Sequence, residues 1–130
     1  MAAIRYMVAD VQKSIDFYTK HLGFEELENF GKPFASVRRD DLILWLAGPK
    51  SSAARPMPDG RQPQPGGWNR LVIEVDDLPT LVAKLKADGV PFRSEIVMGP
   101  GGQQVLVDDP SGNVIELFQP ARSGQLESQP

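Results

Sequence analysis

The sequence predicts an α+β fold, because the order strand, helix, strand, strand, strand occurs twice along its 130 residues. The two copies share an offset: Val8-Ala9-Asp10 corresponds to Val75-Asp76-Asp77, which follows 67 residues later. The two predicted helices end at Gly23 and Gly89, within one residue of that offset. Since a single βαβββ module could not bury both faces of its sheet, we expect the two modules to pair. The alternative is a coincidence between two generic capped helices.

The first module is predicted from turn residues and apolar periodicity. Residues 2–8 form a short strand, and Asp10 is a suitable N-cap for the helix that follows. The helix carries one apolar stripe, which Gly23 terminates. Strands are predicted at 24–30, 33–39 and 42–47, separated by turn-forming residues. The stripe consists of Val11, Ile15, Tyr18 and Leu22.

The second module is separated from the first by residues 48–67, which are too rich in proline and glycine for a regular element. This linker is either a tether or a lid over a pocket. A strand at 68–75, a helix capped by Asp77 and strands at 91–97, 103–108 and 113–119 follow. We therefore predict one domain over 1–120, with modules at about 1–47 and 68–120, and a flexible tail at 121–130.

Composition excludes several classes of protein. The chain has no cysteine, so disulfides, thiolate metal sites and a cysteine nucleophile are excluded. The formal net charge of −3 and the scattered basic residues give no general attraction to nucleic acid or to an acidic membrane. No apolar run approaches the length of a membrane span, and the N-terminus lacks the pattern of a secretory signal. We expect a cytoplasmic protein with a small-molecule ligand.

Two segments carry a family resemblance. "VADVQKSIDFYTKHLGFE" and "VLVDDPSGNVIELFQP" resemble the signature ends of the vicinal oxygen chelate superfamily, which includes glyoxalases, extradiol dioxygenases and bleomycin resistance proteins. The resemblance covers about residues 3–120. It implies two βαβββ modules that pair into a curled mixed sheet around a concave site, in a homodimer. It also implies, in metal-using members, ligands on the first and last strands of each module.

The four positions that match those ligands are Ala3, Trp45, Arg70 and Glu116. Alanine and tryptophan offer no suitable donor atom, and an arginine guanidinium stays protonated. A catalytic ion needs about three protein ligands, so one carboxylate cannot hold it. We therefore expect no metal and no cofactor; if a metal is present, Glu116 is its ligand. His21 lies near the end of the first predicted helix. We expect its side chain either to pack against neighbouring residues or to place favourable charge near the helix C-terminus.

Strand alternation places further side chains beside these positions. The predicted ligand-binding set, which faces the cavity, is Arg5, Trp45, Trp68, Arg70, Glu74 and Glu116. A buried carboxylate without a partner is costly, so we predict an ion pair between Arg70 and Glu116 at the former metal site. Structural alternatives stay open: Trp45 as core, Arg70 as a purely structural ion pair, and Trp68 as a plug where the linker meets the sheet. The acidic pairs at 40–41, 76–77 and 108–109 fit turns and caps.

Four functions remain open. The first is a metal-free binding protein that takes an aromatic or anionic compound, similar to the drug-sequestering members of the superfamily. The second is a metal-dependent lyase, isomerase or dioxygenase. The third is a metal-free enzyme that uses Arg70 and Glu116 as an electrostatic pair, although a carboxylate beside a permanent cation is a poor general base. The fourth is a dimerisation module without a ligand.

Overall fold

A computed structural model describes residues 1–121, and its contacts divide the chain into two compact units. The first unit comprises Met1–Gly67 and Asp109–Asn113. The described part of the second comprises residues 68–108 and 114–121. The predicted tail is described only at Ala121, so residues 122–130 lie outside the described residues. None of the helices within 1–121 is both long and apolar enough to cross a membrane.

The first unit contains one helix and a four-stranded mixed sheet. Its elements are β1 (Ile4–Met7), α1 (Val11–His21), β2 (Glu25–Asn29), β3 (Phe34–Arg39) and β4 (Leu42–Ala47). The strand order is β1-β4-β3-β2, with β1 parallel to β4 and the other pairs antiparallel. Asp10 caps α1 as predicted, because its carboxylate accepts from the Lys13 amide at 3.0 Å. The core includes Tyr18, Val37 and Leu44, all fully buried.

The second unit has the same order of elements. They are β5 (Leu71–Glu74), α2 (Leu78–Ala87), β6 (Val97–Gly99), β7 (Gly102–Asp108) and β8 (Val114–Pro120). The sheet order is β5-β8-β7-β6, in which β5 runs parallel to β8. Asp77 caps α2, and Gly89 just beyond its end has a φ of +81°, which favours glycine. The linker between β4 and β5 contains a single 3₁₀ turn, Ser52–Ala54.

The turn Asp109–Asn113 connects β7 to β8 and belongs to the first unit. The Asp109 carboxylate accepts from the backbone amides of Ser111 and Asn113 in its own turn, and from the buried Tyr18 hydroxyl at 2.8 Å. Asn113 donates to the Met7 carbonyl and accepts from the Gly66 amide, both at 2.8 Å. Burial, and secondarily Asp109, raises the pKa of Tyr18 well above its usual value. The phenol therefore stays protonated and donates to the carboxylate.

The predicted α+β class with two βαβββ modules is confirmed. The strand predicted at 91–97 is wrong: the structure has only a bridge between Phe92 and Val107, then the short β6. The physical reason is that the Ser94 hydroxyl accepts from the Leu106 amide at 3.0 Å and replaces a ladder hydrogen bond. The module boundaries and the pairing around a concave site stay predictions.

Candidate functional site

The centre of the candidate site is an ion pair in the second unit. Glu116 lies in β8 opposite Val72 of β5, and Arg70 precedes β5 by one residue. Arg70 Nε and Nη2 lie 3.0 and 2.9 Å from Glu116 Oε1. The side chains are 28% and 11% exposed, so the pair is shielded but still reached by water. The predicted ion pair is thus present, and its role in ligand binding stays a prediction.

Arg70 keeps donors available after these contacts. A guanidinium has five N–H bonds. One from Nε and one from Nη2 point to Glu116, and one from Nη1 points to the Trp68 carbonyl oxygen at 3.3 Å. The other two have no protein acceptor within residues 1–121. Arg70 can therefore bind an oxygen atom of a ligand without losing Glu116.

Trp68 lies beside this pair and is 66% exposed. The Arg93 guanidinium carbon is 4.6 Å from the centre of its ring, a cation–π contact. Arg93 is in turn held by Asp108, whose Oδ1 is 2.9 Å from Nε and 2.8 Å from Nη2. An exposed indole is thus supported on one side by a paired arginine.

Arg93 was not among the predicted site residues, and Asp108 was predicted to lie in a turn. Arg93 carries no sequence signal, because it lies in the irregular segment between α2 and β6. Asp108 did carry one: a hairpin centred on Ser111 pairs Leu106 with Glu116 and Asp108 with Val114. Residues two apart share a face, so that register would have placed Asp108 beside Glu116.

The surface around the ion pair combines apolar and polar side chains. We call it the open face: it is the side of the second sheet opposite the buried Leu71, Ile73, Ile115 and Leu117. Val72 is 51% exposed on this face, and Leu106 and Phe118 are partly exposed. Glu74 also lies on it, at the end of β5, and is exposed. The face bears Val72, Glu74, Gln104, Leu106, Glu116 and Phe118.

Arg5 and Trp45 lie in the first unit and contact each other. They are register partners in the parallel pair β1–β4, and the Arg5 guanidinium carbon is 5.0 Å from the centre of the Trp45 ring. Phe34 packs edge-on against Trp45 at 5.7 Å between ring centres. The two predicted residues are thus brought together on one face of the first sheet. Their part in ligand binding stays a prediction.

The residues at the metal-ligand positions do not fit a metal ion. Ala3 precedes β1 and has no donor atom, and Trp45 is engaged with Arg5. Arg70 places a cation against the only carboxylate of the set, Glu116. Within 1–121 there is no group of three or more histidine, cysteine, aspartate or glutamate residues that could hold a metal. His21 packs edge-on against Phe17, with 5.5 Å between ring centres.

A cavity of about 500 Å³ lies elsewhere in the first unit. It is lined by Ala9–Gln12 at the start of α1, by Asn29, Gly31 and Lys32, and by Pro49 and Lys50. None of the six predicted ligand-binding residues lines it. The volume suits a small ligand. Asp10 caps α1 and Asn29 accepts from Gly31, and Lys32 and Lys50 add two positive charges to the lining.

The repeated order of strands and helix and the two four-stranded mixed sheets define a class of two-module α+β proteins. The model of the Glyoxalase/Bleomycin resistance protein/Dioxygenase superfamily matches residues 1–117, and the chain belongs to that superfamily.

Proteins similar to this chain include an enzyme and two binding proteins. The chain is 24% identical to a lactoylglutathione lyase from Pseudomonas putida, over 87% of this chain and 80% of that one. It is 28% identical to an antibiotic binding protein from Streptomyces sp. CB03234, with a TM-score of 0.65 over 93% of this chain and 97% of the other. A bleomycin-binding protein from Streptomyces verticillus has the same fold at 23% identity, with a TM-score of 0.61, over 92% and 95% of the two chains.

Proposed function

We propose that the protein binds a planar aromatic compound carrying an oxygen acceptor, without a metal ion, on the open face of the second sheet. The observation that carries this is the exposed Trp68 beside Arg70, two of whose N–H donors have no protein acceptor among residues 1–121. Trp68 would stack on the ring, and Arg70 would donate to the oxygen. Val72 would extend the apolar surface under the ring.

The charges favour an aromatic ligand over a strongly anionic one. Arg70 is paired with Glu116, and Arg93 with Asp108, so the two cations are balanced by two carboxylates. The exposed Glu74 adds a further negative charge on the same face. A multiply charged anion would therefore meet no net attraction. A ring with one oxygen group gains stacking and one charge-assisted hydrogen bond.

Similarity to the antibiotic binding protein at 28% identity supports a binding function. The ligand-position side chains support a metal-free site, because Arg70 is paired with the one carboxylate that the set retains. We also propose a cytoplasmic homodimer, on the basis of the family resemblance and the cysteine-free sequence. Sedimentation equilibrium is expected to give twice the 14.3 kDa chain mass.

Trp68 provides the assay. The chain has two tryptophans, so Trp45→Phe leaves Trp68 as the only one. In that background 2-naphthoate is expected to quench tryptophan emission and to bind in calorimetry. Trp68→Leu and Arg70→Lys are each expected to weaken binding about tenfold, since stacking and a charged hydrogen bond are each worth about 1–2 kcal/mol. Trp68→Leu is measured by calorimetry alone, because it removes the fluorophore.

Cyclohexanecarboxylate is the matched control, because it offers the carboxylate without the ring. It is expected to bind at least tenfold more weakly than 2-naphthoate. Equal binding of the two compounds, or unchanged 2-naphthoate affinity after Trp68→Leu, would contradict the proposal. Nuclear magnetic resonance of the incubated compound separates binding from turnover: an unchanged spectrum means binding alone, and new signals mean an enzyme that uses Arg70 and Glu116.

The second candidate is a metal-dependent enzyme, and the similarity to the lactoylglutathione lyase favours it. The test is titration of the protein with Zn²⁺ and Ni²⁺ in calorimetry, together with a lactoylglutathione lyase assay in excess metal. One carboxylate should give no stoichiometric binding and no activity. Uptake of one ion per chain that is lost in Glu116→Gln would replace the metal-free proposal.

A further inference from the structure

We propose that Arg93 is a positioning residue that fixes the Trp68 indole and makes the site prefer electron-rich aromatic rings. This rests on the proposed function and adds the electronic character of the ligand. The observation that supports it is that Arg93 lies over one face of the indole of Trp68, a residue that is 66% exposed. A large exposed aromatic side chain held in one orientation is a feature of recognition surfaces rather than of ordinary protein surface.

Arg93 is itself held at both ends. Its backbone amide donates to the Leu106 carbonyl at 2.8 Å. Its guanidinium reaches Asp108 through Nε at 2.9 Å and Nη2 at 2.8 Å. The side chain is only 20% exposed. The cation above Trp68 is therefore fixed by main chain and side chain alike, and little entropy remains to be lost when a ligand stacks below it.

Trp68 lies outside regular secondary structure. It precedes β5 and lies outside the ladder that begins at Leu71. Gly66 and Gly67 come directly before it, with φ values of +106° and +97° that only glycine adopts readily. Besides Arg93, the Arg70 side chain restrains it, through a 3.3 Å hydrogen bond to its carbonyl oxygen. This bond fixes the main chain, while the cation–π contact fixes the ring.

The cation determines what the other face of the indole prefers. An aromatic face is electron-rich, and a cation on one side draws that density toward itself. The opposite face becomes less negative. It then repels the π-electrons of an electron-rich ring less, and loses attraction for an electron-poor or cationic ring. A methoxy- or hydroxy-substituted ring is expected to bind more tightly than a nitro-substituted ring of the same shape.

The experiment uses two ligands that share the carboxylate for Arg70, 6-methoxy-2-naphthoate and 6-nitro-2-naphthoate, measured by calorimetry on the full chain. The unmodified protein is expected to favour the methoxy compound by about threefold, the ratio that a modest cation–π energy gives. Arg93→Gln is expected to bring the ratio to about one, and Arg93→Lys to restore part of it. Asp108→Asn is expected to fall between, because it loosens Arg93 without removing the cation.

A second measurement needs no ligand. With Trp45→Phe in place, acrylamide quenching and fluorescence anisotropy report Trp68 alone. Arg93→Gln is expected to raise quenching and lower anisotropy, whereas Arg38→Gln, which removes an exposed ion pair of the first unit, should change neither. Circular dichroism checks that each variant folds. If Arg93→Gln does not fold, the quenching and anisotropy of Arg93→Lys and Asp108→Asn test the role of Arg93 instead.

The two proposals fail in different ways. If neither naphthoate binds the unmodified protein, the proposed function is wrong, and the anisotropy still tests whether Arg93 positions Trp68. If both bind but the ratio is unaffected by Arg93→Gln, the proposed function stands and the role of Arg93 is refuted. Unchanged Trp68 anisotropy in Arg93→Gln would also overturn it.

Discussion

Replacing Arg70 by methionine is expected to lower the free energy of unfolding by about 2 kcal/mol. Breaking a fully buried ion pair by removing one partner costs about 3–5 kcal/mol, because the remaining charge is buried alone. Here Glu116 is 11% exposed at its side chain and Arg70 28%, so water enters the space that the guanidinium leaves and reduces the loss. The magnitude therefore lies below the range for full burial but well above that of a surface pair.

The assay is a double-mutant cycle in urea, followed by circular dichroism, with Arg70→Met, Glu116→Met and the double variant. The double variant is expected to be more stable than Arg70→Met alone, since two apolar side chains leave no unpaired charge. The matched control is Arg38→Met, which breaks the pair with Glu25 at side-chain exposures of 47% and 60%. It should cost less than about 1 kcal/mol. A loss at Arg70 no larger than at Arg38, or no recovery in the double variant, would refute the reasoning.

Two further predictions concern the first unit. Gly48→Ala is expected to cost about 1–3 kcal/mol in thermal or urea unfolding, because a Cβ there would lie 2.2 Å from the Lys32 carbonyl oxygen. Gly99→Ala, which meets nothing within 4 Å, is the control and should stay within about 0.5 kcal/mol. Because the pKa of Tyr18 is raised by burial, the unfolded chain loses this proton first, and stability should fall as pH rises above about 10. Ultraviolet titration of Tyr6→Phe should show no phenolate until unfolding; early ionisation, or the same pH profile in Tyr18→Phe, would contradict this.

The helices were predictable because their signals are local. Asp10 and Asp77 accept the predicted amide hydrogen bonds, from Lys13 and Thr80. The end of each helix requires a backbone conformation that favours glycine, so a glycine in the sequence predicts where the helix ends. The irregular segment before β6 was not predictable in this way. Ser94 takes part in the sheet through its hydroxyl, and residue periodicity carries no trace of such a bond.

The candidate site, too, was predictable only in part. The cost of an unpartnered buried carboxylate required a partner for Glu116, and the family resemblance, which puts both residues at ligand positions, indicated Arg70; the structure forms the pair at 2.9 Å. Arg93 was missed because its contact with Trp68 joins residues 25 positions apart through a segment without regular structure. Such a contact depends on the path of the irregular segment that carries Arg93, and neither the periodicity nor the composition of the sequence predicts that path.

The turn Asp109–Asn113 has a consequence for how the gene could be divided. The first compact unit is not contiguous in sequence, since it takes five residues from beyond the second helix. A fragment that ends at the linker would keep Tyr18 but lose the carboxylate to which its hydroxyl donates. The chain repeats one plan twice, yet its halves are not interchangeable: fission or shuffling at the linker would leave a buried phenol without its acceptor.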